Sequence, residues 1–288
     1  LHHDYPTANT SRHYDPHLNL QSPHSYDQPT YRIYTLSEMS TKFDCIVVGG
    51  TPGGIASAIT LARLGRSVAL VEYHPHIGGM STSGLGKSDI ENRATVGGLF
   101  TEFTNRVHQY YLKRYGDTSK NVQLCQDGYY YEPSVAEIVF DNLVNEQSLI
   151  TTLKFHRFES TVTDSNSVCG VIVRDRKTGI EHKLSAPILV DATYEGDVFA
   201  SAGAEYRLGR ESREEFGEPH AGVVYYDYIK KTFLPGTTWE SDNRLPAYTY
   251  RLCLTTNPAN SKHLTKPPTD YDQSTYSVYL DDLKAGRL

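Results

Sequence analysis

Gly49, Gly50, Gly53 and Gly54 stand close together, separated only by Thr51 and Pro52, and an acid, Glu72, follows 23 positions after the first of them. Residues without a Cβ let the backbone turn sharply and let a ligand approach the amides. A helix starting at such a turn directs free N–H groups and the positive end of its dipole into the space above, which suits a pyrophosphate. Glu72 completes the chemistry, because an acid at a spacing of roughly 20 residues accepts a hydrogen bond from a ribose hydroxyl. The combination points to a dinucleotide.

The flanking residues supply the elements such a site needs. Phe43 and Cys45 to Val48 form an almost continuous apolar run, as expected of a parallel strand covered on both faces. Ile55, Ala58, Ile59 and Ala62 give a helical stripe, Gly65 marks its end, and Val68 to Val71 is a second strand closed by Glu72. One residue departs from the Gly-x-Gly-x-x-Gly fingerprint: that pattern places glycine at 49, 51 and 54, and position 51 is Thr. Pro52 falls where a first helical turn tolerates proline, since the N–H it lacks would have been unpaired anyway. GGTPGG therefore reads as a variant of the turn, against the alternative of an ordinary strand-loop-helix with no ligand.

A second glycine cluster, Gly78 and Gly79 followed by Met80, Ser81, Thr82 and Ser83, stands just beyond the acid. A nicotinamide site does not require it. In a flavin site the longer dinucleotide runs past the second strand, where Gly79, Ser81 and Thr82 offer amides and hydroxyls toward the pyrophosphate and ribityl chain; a flexible loop is the plainer alternative. Helical spacing then predicts covering helices over 97–115 and 133–147, with Tyr129 to Tyr131 as a short strand ending at Pro133 and its tyrosines used for packing. Thr152 to Phe158, Val168 to Arg174 and Glu181 to Leu184 read as an antiparallel meander with a turn at 176–179. Ile188 to Asp191 is a further buried strand leading into Ala192 and Thr193, at the end where parallel sheets bind ligands.

Composition narrows the classes. The chain has 288 residues, enough for one large or two ordinary domains, and a net charge of −6. Without a basic stripe nucleic acid is not expected, and without an apolar run near the roughly 20 residues of a span neither is a membrane. Cys45, Cys125, Cys169 and Cys253 form no CxxC pair, so we expect no metal and reduced thiols, which lean toward the cytoplasm. The 22 tyrosines are read as packing at domain edges. Residues 1–38, rich in His, Tyr, Pro and Ser without periodicity, are expected to be a disordered extension whose His2, His3, His13, His17 and His24 lack ligand spacing. Met39 looks like a natural beginning.

Six motifs in order, GGTPGG with Glu72, IGGM with Ser81, EPSVAE at 132–137, DATYEGD at 191–197, GRES at 209–212 and EPHAG at 218–222, resemble the FAD-dependent oxidoreductase family, which includes proteins similar to the flavin-carrying component of heterodisulfide reductase and xanthan lyase-like proteins. The similarity runs from about Phe43 onward and takes in RLCLTTNPAN at 251–260. It implies an α/β chain with FAD as cofactor: a Rossmann-like, glutathione-reductase-like FAD-binding domain at 39–207 with a parallel sheet and inserted antiparallel β-meander. The start of an α+β substrate or cap domain would follow at 208–288. By family pattern Gly49, Gly53 and Gly54 hold the pyrophosphate, with Gly50, Thr51 and Pro52 in the same turn. Glu72 holds the ribose, Gly78, Gly79, Met80 and Ser81 the flavin-proximal part, and Ala192 and Thr193 lie beside FAD. Such proteins return to the FAD domain after this length, so the chain reads as a fragment ending in a helix near 281–288.

The function expected is redox transfer of hydride or electrons between a small-molecule substrate and an acceptor through the flavin. A nicotinamide dehydrogenase, with Glu72 favouring NAD over NADP, and a noncatalytic flavin-binding fragment are the alternatives. Arg210 and His220 are the substrate-side candidates, the first to grip an anion and the second to move a proton. Against this, Arg210, Glu211, Arg213, Glu214 and Glu215 form a mixed-charge run of the kind that usually makes local ion pairs.

Overall fold

The apolar runs around the glycine turn pair as neighbouring parallel strands, with Cys45 opposite Val68 and Val48 opposite Val71. The computed structural model describes residues 41–227, 229–245, 251, 254, 255, 257–262, 265–267, 269–276 and 284. The readings of residues 1–38, Met39 and Cys253 lie outside these, as does the helix at 281–288 apart from Lys284. In chain order the elements are β1 (Cys45–Val48), α1 (Pro52–Arg63), β2 (Val68–Glu72), α2 (Met80–Ser83), α3 (Gly98–Tyr115), α4 (Lys120–Leu124), α5 (Pro133–Asn145) and β3 (Ile150–Lys154). They continue with β4 (His156–Asp164), β5 (Ser167–Asp175), β6 (Glu181–Ser185), β7 (Ile188–Asp191), α6 (Asp197–Ser201), α7 (Arg213–Phe216), β8 (Tyr226–Asp227) and β9 (Thr232–Phe233). Contacts gather them into two units, Leu1–Ile77 with Ile138–Ala202, and Gly78–Glu137 with Gly203–Leu288.

The first unit carries a parallel sheet of order β3-β2-β1-β7 and an antiparallel sheet of order β4-β5-β6. Burial on both faces is why β1 and β2 are apolar without alternation: every residue of both is buried. Ile46, Val48, Ala69, Val71 and Leu153 share one core with Val171, Val173 and Leu184 of the meander and with Val198. The intervening Cys45, Val47, Val68 and Leu70 are buried too, and point to the opposite face of the pleat. Withdrawing a side chain such as Ile46 or Leu70 from water contributes about 1.5–3 kcal/mol. At the far end of the sheet, Lys154 of β3 meets Asp141 of α5 at 2.8 Å, and Asp141 is buried.

One strand expected from the sequence is two. The run 152–158 breaks at Phe155, whose φ of 62° is left-handed, so β3 ends as the edge of the parallel sheet and β4 begins the meander. Phe155 donates its N–H to the His74 carbonyl and accepts from the Arg176 amide, which fixes the change of direction. The other two meander strands form as expected, and so does the return strand at 188–191, but it is not the buried strand expected: it is the other edge of the parallel sheet, with Ile188 54% exposed and its other three residues half-buried.

In the second unit α3 buries Phe103, Thr104, Val107 and Tyr111. The strand expected at 129–131 does not form. The Tyr129 and Tyr130 amides are spent on turn bonds to Gln126 and Cys125, leaving one isolated bridge between Tyr130 and Lys87. The packing role read for these tyrosines holds for two of them: Tyr129 and Tyr131 are buried, with Tyr131 edge-on to Phe103 at 5.5 Å. Beside them the Tyr111 hydroxyl donates to the Glu132 carboxylate and accepts from its amide. Burial and that acid push the Tyr111 phenol above its ordinary range.

Candidate functional site

The glycine turn lies between β1 and α1, and each residue in it has a separate reason for its type. A Cβ on Gly50 would come within 2.8 Å of Glu72 Oε2, where the Gly50 amide instead donates to that oxygen at 2.7 Å. A Cβ on Gly54 would fall 1.9 Å from the Gly49 carbonyl oxygen, so the start of the helix can lie against the turn only without one. Thr51, in the place of the middle glycine, has φ −70° and ψ 167°, an extended backbone open to any residue. Its hydroxyl caps α1 by accepting from the Gly54 amide at 3.2 Å, and donates to the Ala192 carbonyl at 2.9 Å. Pro52 takes the first helical position, where its missing donor costs nothing.

These bonds decide which donors the turn can offer a ligand. Gly50 N–H is held by Glu72, Gly54 N–H by Thr51 Oγ1 and Ile55 N–H by the Thr51 carbonyl. The Thr51 and Gly53 N–H groups meet no acceptor among the described residues, and Gly53 is exposed. Two amides at the N-terminus of a 12-residue helix, with no side chain over Gly53, are the donor set a pyrophosphate takes. Glu72 is only 7% exposed; its Oε1 accepts from the His74 amide and its Oε2 from Gly50, both at 2.7 Å. A carboxylate oxygen has two lone pairs, so each retains one for a ribose hydroxyl. The residues present fit the adenosine diphosphate half of a dinucleotide.

The end of β7 adjoins this turn within the same unit. Ala192 N–H donates to the Val48 carbonyl at 2.8 Å, and the Ala192 carbonyl is the one that Thr51 reaches. Asp191, expected only to end a strand, organises the turn beyond it. Its Oδ1 accepts from the Thr193 amide and hydroxyl, and its Oδ2 from the Val198 and Phe199 amides at the start of α6. Thr193 Oγ1 then accepts from the Gly196 and Asp197 amides. DATYEGD is therefore a pair of nested caps, and the cue for it is an acid and a hydroxyl shortly before a helix. Burial and nearby Asp191 raise the Asp197 carboxyl.

In the second unit, Gly78 and Gly79 have φ of 106° and 51° and introduce α2, a single helical turn where the sequence allowed a loop. The Gly79 carbonyl accepts from the Thr82 and Ser83 hydroxyls, and Met80 is 57% exposed. A cleft of about 440 Å³ is lined by Lys87, Ser88, Glu91, Arg93, Tyr129 and Tyr130 among others. Its two cations are engaged, Lys87 with Asp89 and Arg93 with Asp127. Arg210, the candidate anion grip, forms a fork with both oxygens of Asp242 and holds that carboxyl down at about 2. His220 packs its ring against Tyr226 and Phe233, each 5.6 Å away. Arg213 lies over Trp239 at 3.4 Å and donates to the Pro219 carbonyl.

Residues 44–286 match the FAD dependent oxidoreductase family, and the chain belongs to that family, whose cofactor is FAD. Solved structures with a similar fold include the myxobacterial chondrochloren halogenase CndH, an FAD-dependent halogenase, at 20% identity and a TM-score of 0.39 over 54% of this chain and 38% of that one. Others are glycerol-3-phosphate dehydrogenase from Bacillus halodurans complexed with FAD, at 15% identity and a TM-score of 0.41 over 62% of this chain and 42% of that one, and L-proline dehydrogenase from P. horikoshii, at 17% and 0.41 over 60% and 59%. The chain thus spans between 38% and 59% of the length of these proteins. Among the described residues no helix is long and apolar enough to cross a membrane, and no cluster of three or more His, Cys, Asp or Glu is placed to hold a metal.

Proposed function

We propose that this chain supplies the adenosine diphosphate half of an FAD site, in a protein that passes hydride or electrons between a small-molecule substrate and an acceptor. The observation that carries the reading is the pair of unspent amides, Thr51 and Gly53, at the N-terminus of α1 beside the buried Glu72 carboxylate. In this reading Gly49, Gly50, Pro52 and Gly54 shape the turn, the two amides hold the pyrophosphate, and Glu72 takes the adenosine ribose. Gly78, Gly79, Met80 and Ser81 belong to the flavin-proximal part, with Ala192 and Thr193 beside the cofactor. FAD, when bound, supplies the redox chemistry. The chain's own task is to bind it, orient it and fix the charge around it.

By role we divide the chain into a cofactor domain at 39–207 and a substrate-side part at 208–288. Arg210 and His220 are the candidates in the latter, with Arg210 able to take a substrate anion only by leaving Asp242. Cys45, Cys125 and Cys169 are free thiols, which supports a reducing compartment such as the cytoplasm.

The test is the visible spectrum of the purified protein with a titration against FAD. Oxidised-flavin bands that bleach with a reductant support the reading. A colourless protein that binds NAD and not FAD replaces it with a nicotinamide dehydrogenase, and a protein that binds neither leaves the chain without a cofactor function.

A further inference from the structure

The geometry points to Thr51 as a positioning residue for the dinucleotide, a latch whose hydroxyl joins the glycine turn to the strand end at Ala192 so that the two move as one piece. The inference rests on the reading of this turn as the FAD pyrophosphate site. In the fingerprint the middle glycine serves close approach of the ligand, and threonine at that place looks like a loss. Here the backbone has no need of glycine, because φ is −70°. The side chain is turned away into the protein, 9% exposed.

The hydroxyl is used in both directions. It accepts from Gly54 N–H at 3.2 Å and donates to the Ala192 carbonyl at 2.9 Å, while Ala192 N–H closes onto Val48 at 2.8 Å. Gly54, Thr51, Ala192 and Val48 thus form one hydrogen-bonded chain from the helix start through the returning strand to β1. The backbones are also in direct contact there, since a Cβ on Gly49 would lie 2.4 Å from the Ala192 oxygen. With Gly54 already satisfied, the Thr51 and Gly53 amides are the two left to face the phosphate oxygens. Only a side chain that donates and accepts through one atom one bond beyond Cβ reproduces this, which means Ser or Thr.

Three variants decide the matter: Thr51→Ser, Thr51→Val and Thr51→Gly. Two readouts apply to each, the affinity for FAD by flavin fluorescence and the hydrogen-exchange rate of the Gly54 amide in the cofactor-free protein. The latch predicts that Thr51→Ser keeps both near wild type. Thr51→Val and Thr51→Gly should bind FAD about tenfold more weakly and exchange Gly54 about tenfold faster, a factor in keeping with loss of a helix cap. The glycine variant is the sharper arm, because it restores the fingerprint. If Thr51→Gly binds FAD as tightly as wild type and protects Gly54 equally, the latch is overturned. Should Thr51→Val fail to fold, the serine and glycine pair still decides. If wild type itself binds no FAD, the proposed function falls, and the exchange rates alone decide whether the latch exists.

Discussion

Glu72 shows how one side chain both builds a site and serves it. Its oxygens are held from behind by the Gly50 and His74 amides, so the carboxylate is in place before any ligand arrives. Replacing it by Gln leaves one of those amides facing an NH₂ group. We expect Glu72→Gln to cost about 1–3 kcal/mol in chemical denaturation and to weaken FAD binding. An unchanged denaturation midpoint would mean the two amides do not hold the acid. The sequence made Glu72 legible because its spacing from Gly49 is set by the length of a strand, a helix and a second strand. Thr51 was legible only as a departure. Its meaning depends on Ala192, 141 positions away, and no local pattern carries a bond of that range.

At the scale of elements, apolar periodicity revealed β1, α1, β2 and α5 because each buries a face or a whole strand. It failed at β3, an edge strand whose threonines are only half-buried and which runs into β4 through a left-handed Phe155. An aromatic residue gives no sign of such a turn. The edge has its own anchor, and removing Asp141 takes away the carboxylate that Lys154 meets at 2.8 Å. Asp141→Ala is expected to cost roughly 3 kcal/mol, read from a denaturant titration. A loss below about 1 kcal/mol would place the pair among ordinary surface contacts.

The meander carries a pH dependence of definite sign. His182 has a buried Nε2 without a hydrogen-bond partner among the described residues. Burial first and His156 second push its imidazole below the ordinary 6.5, with Asp175 pulling the other way. A depressed folded value means that the neutral ring's contribution is fully present above about pH 6.5 and is lost as pH falls through the folded value. Thermal unfolding followed between pH 7.5 and pH 5, as roughly the span of histidine titration, should show stability declining on the acid side. His182→Phe should flatten that decline, and an identical slope in the variant would show that His182 is not the group responsible.

At the scale of the whole molecule, the family supplies the cofactor and the described residues supply a fitting half-site. Binding that favours the folded chain raises its stability by about 2.7 kcal/mol at a ligand concentration of 100 times Kd. FAD should therefore raise the melting temperature in a concentration-dependent manner, and by more than NAD at the same concentration, since both share the adenosine diphosphate half and only FAD brings the flavin end. A shift produced equally by adenosine diphosphate alone would show that the turn and Glu72 account for the whole of the binding, with no gain from the isoalloxazine end.

The bond between Thr51 and Ala192 also sets an order of events during synthesis. The strand-turn-helix-strand of residues 45–72 can assemble as soon as it leaves the ribosome, but the carbonyl that fastens its turn, that of Ala192, is made 120 residues after Glu72. At about 5–20 residues per second that is an interval of roughly 6–24 s. During it β1 has β2 on one edge and bare backbone on the other, the edge that β7 later pairs with. The nascent chain must guard an apolar parallel strand for that time, which makes this stretch the place where a chaperone has most to do.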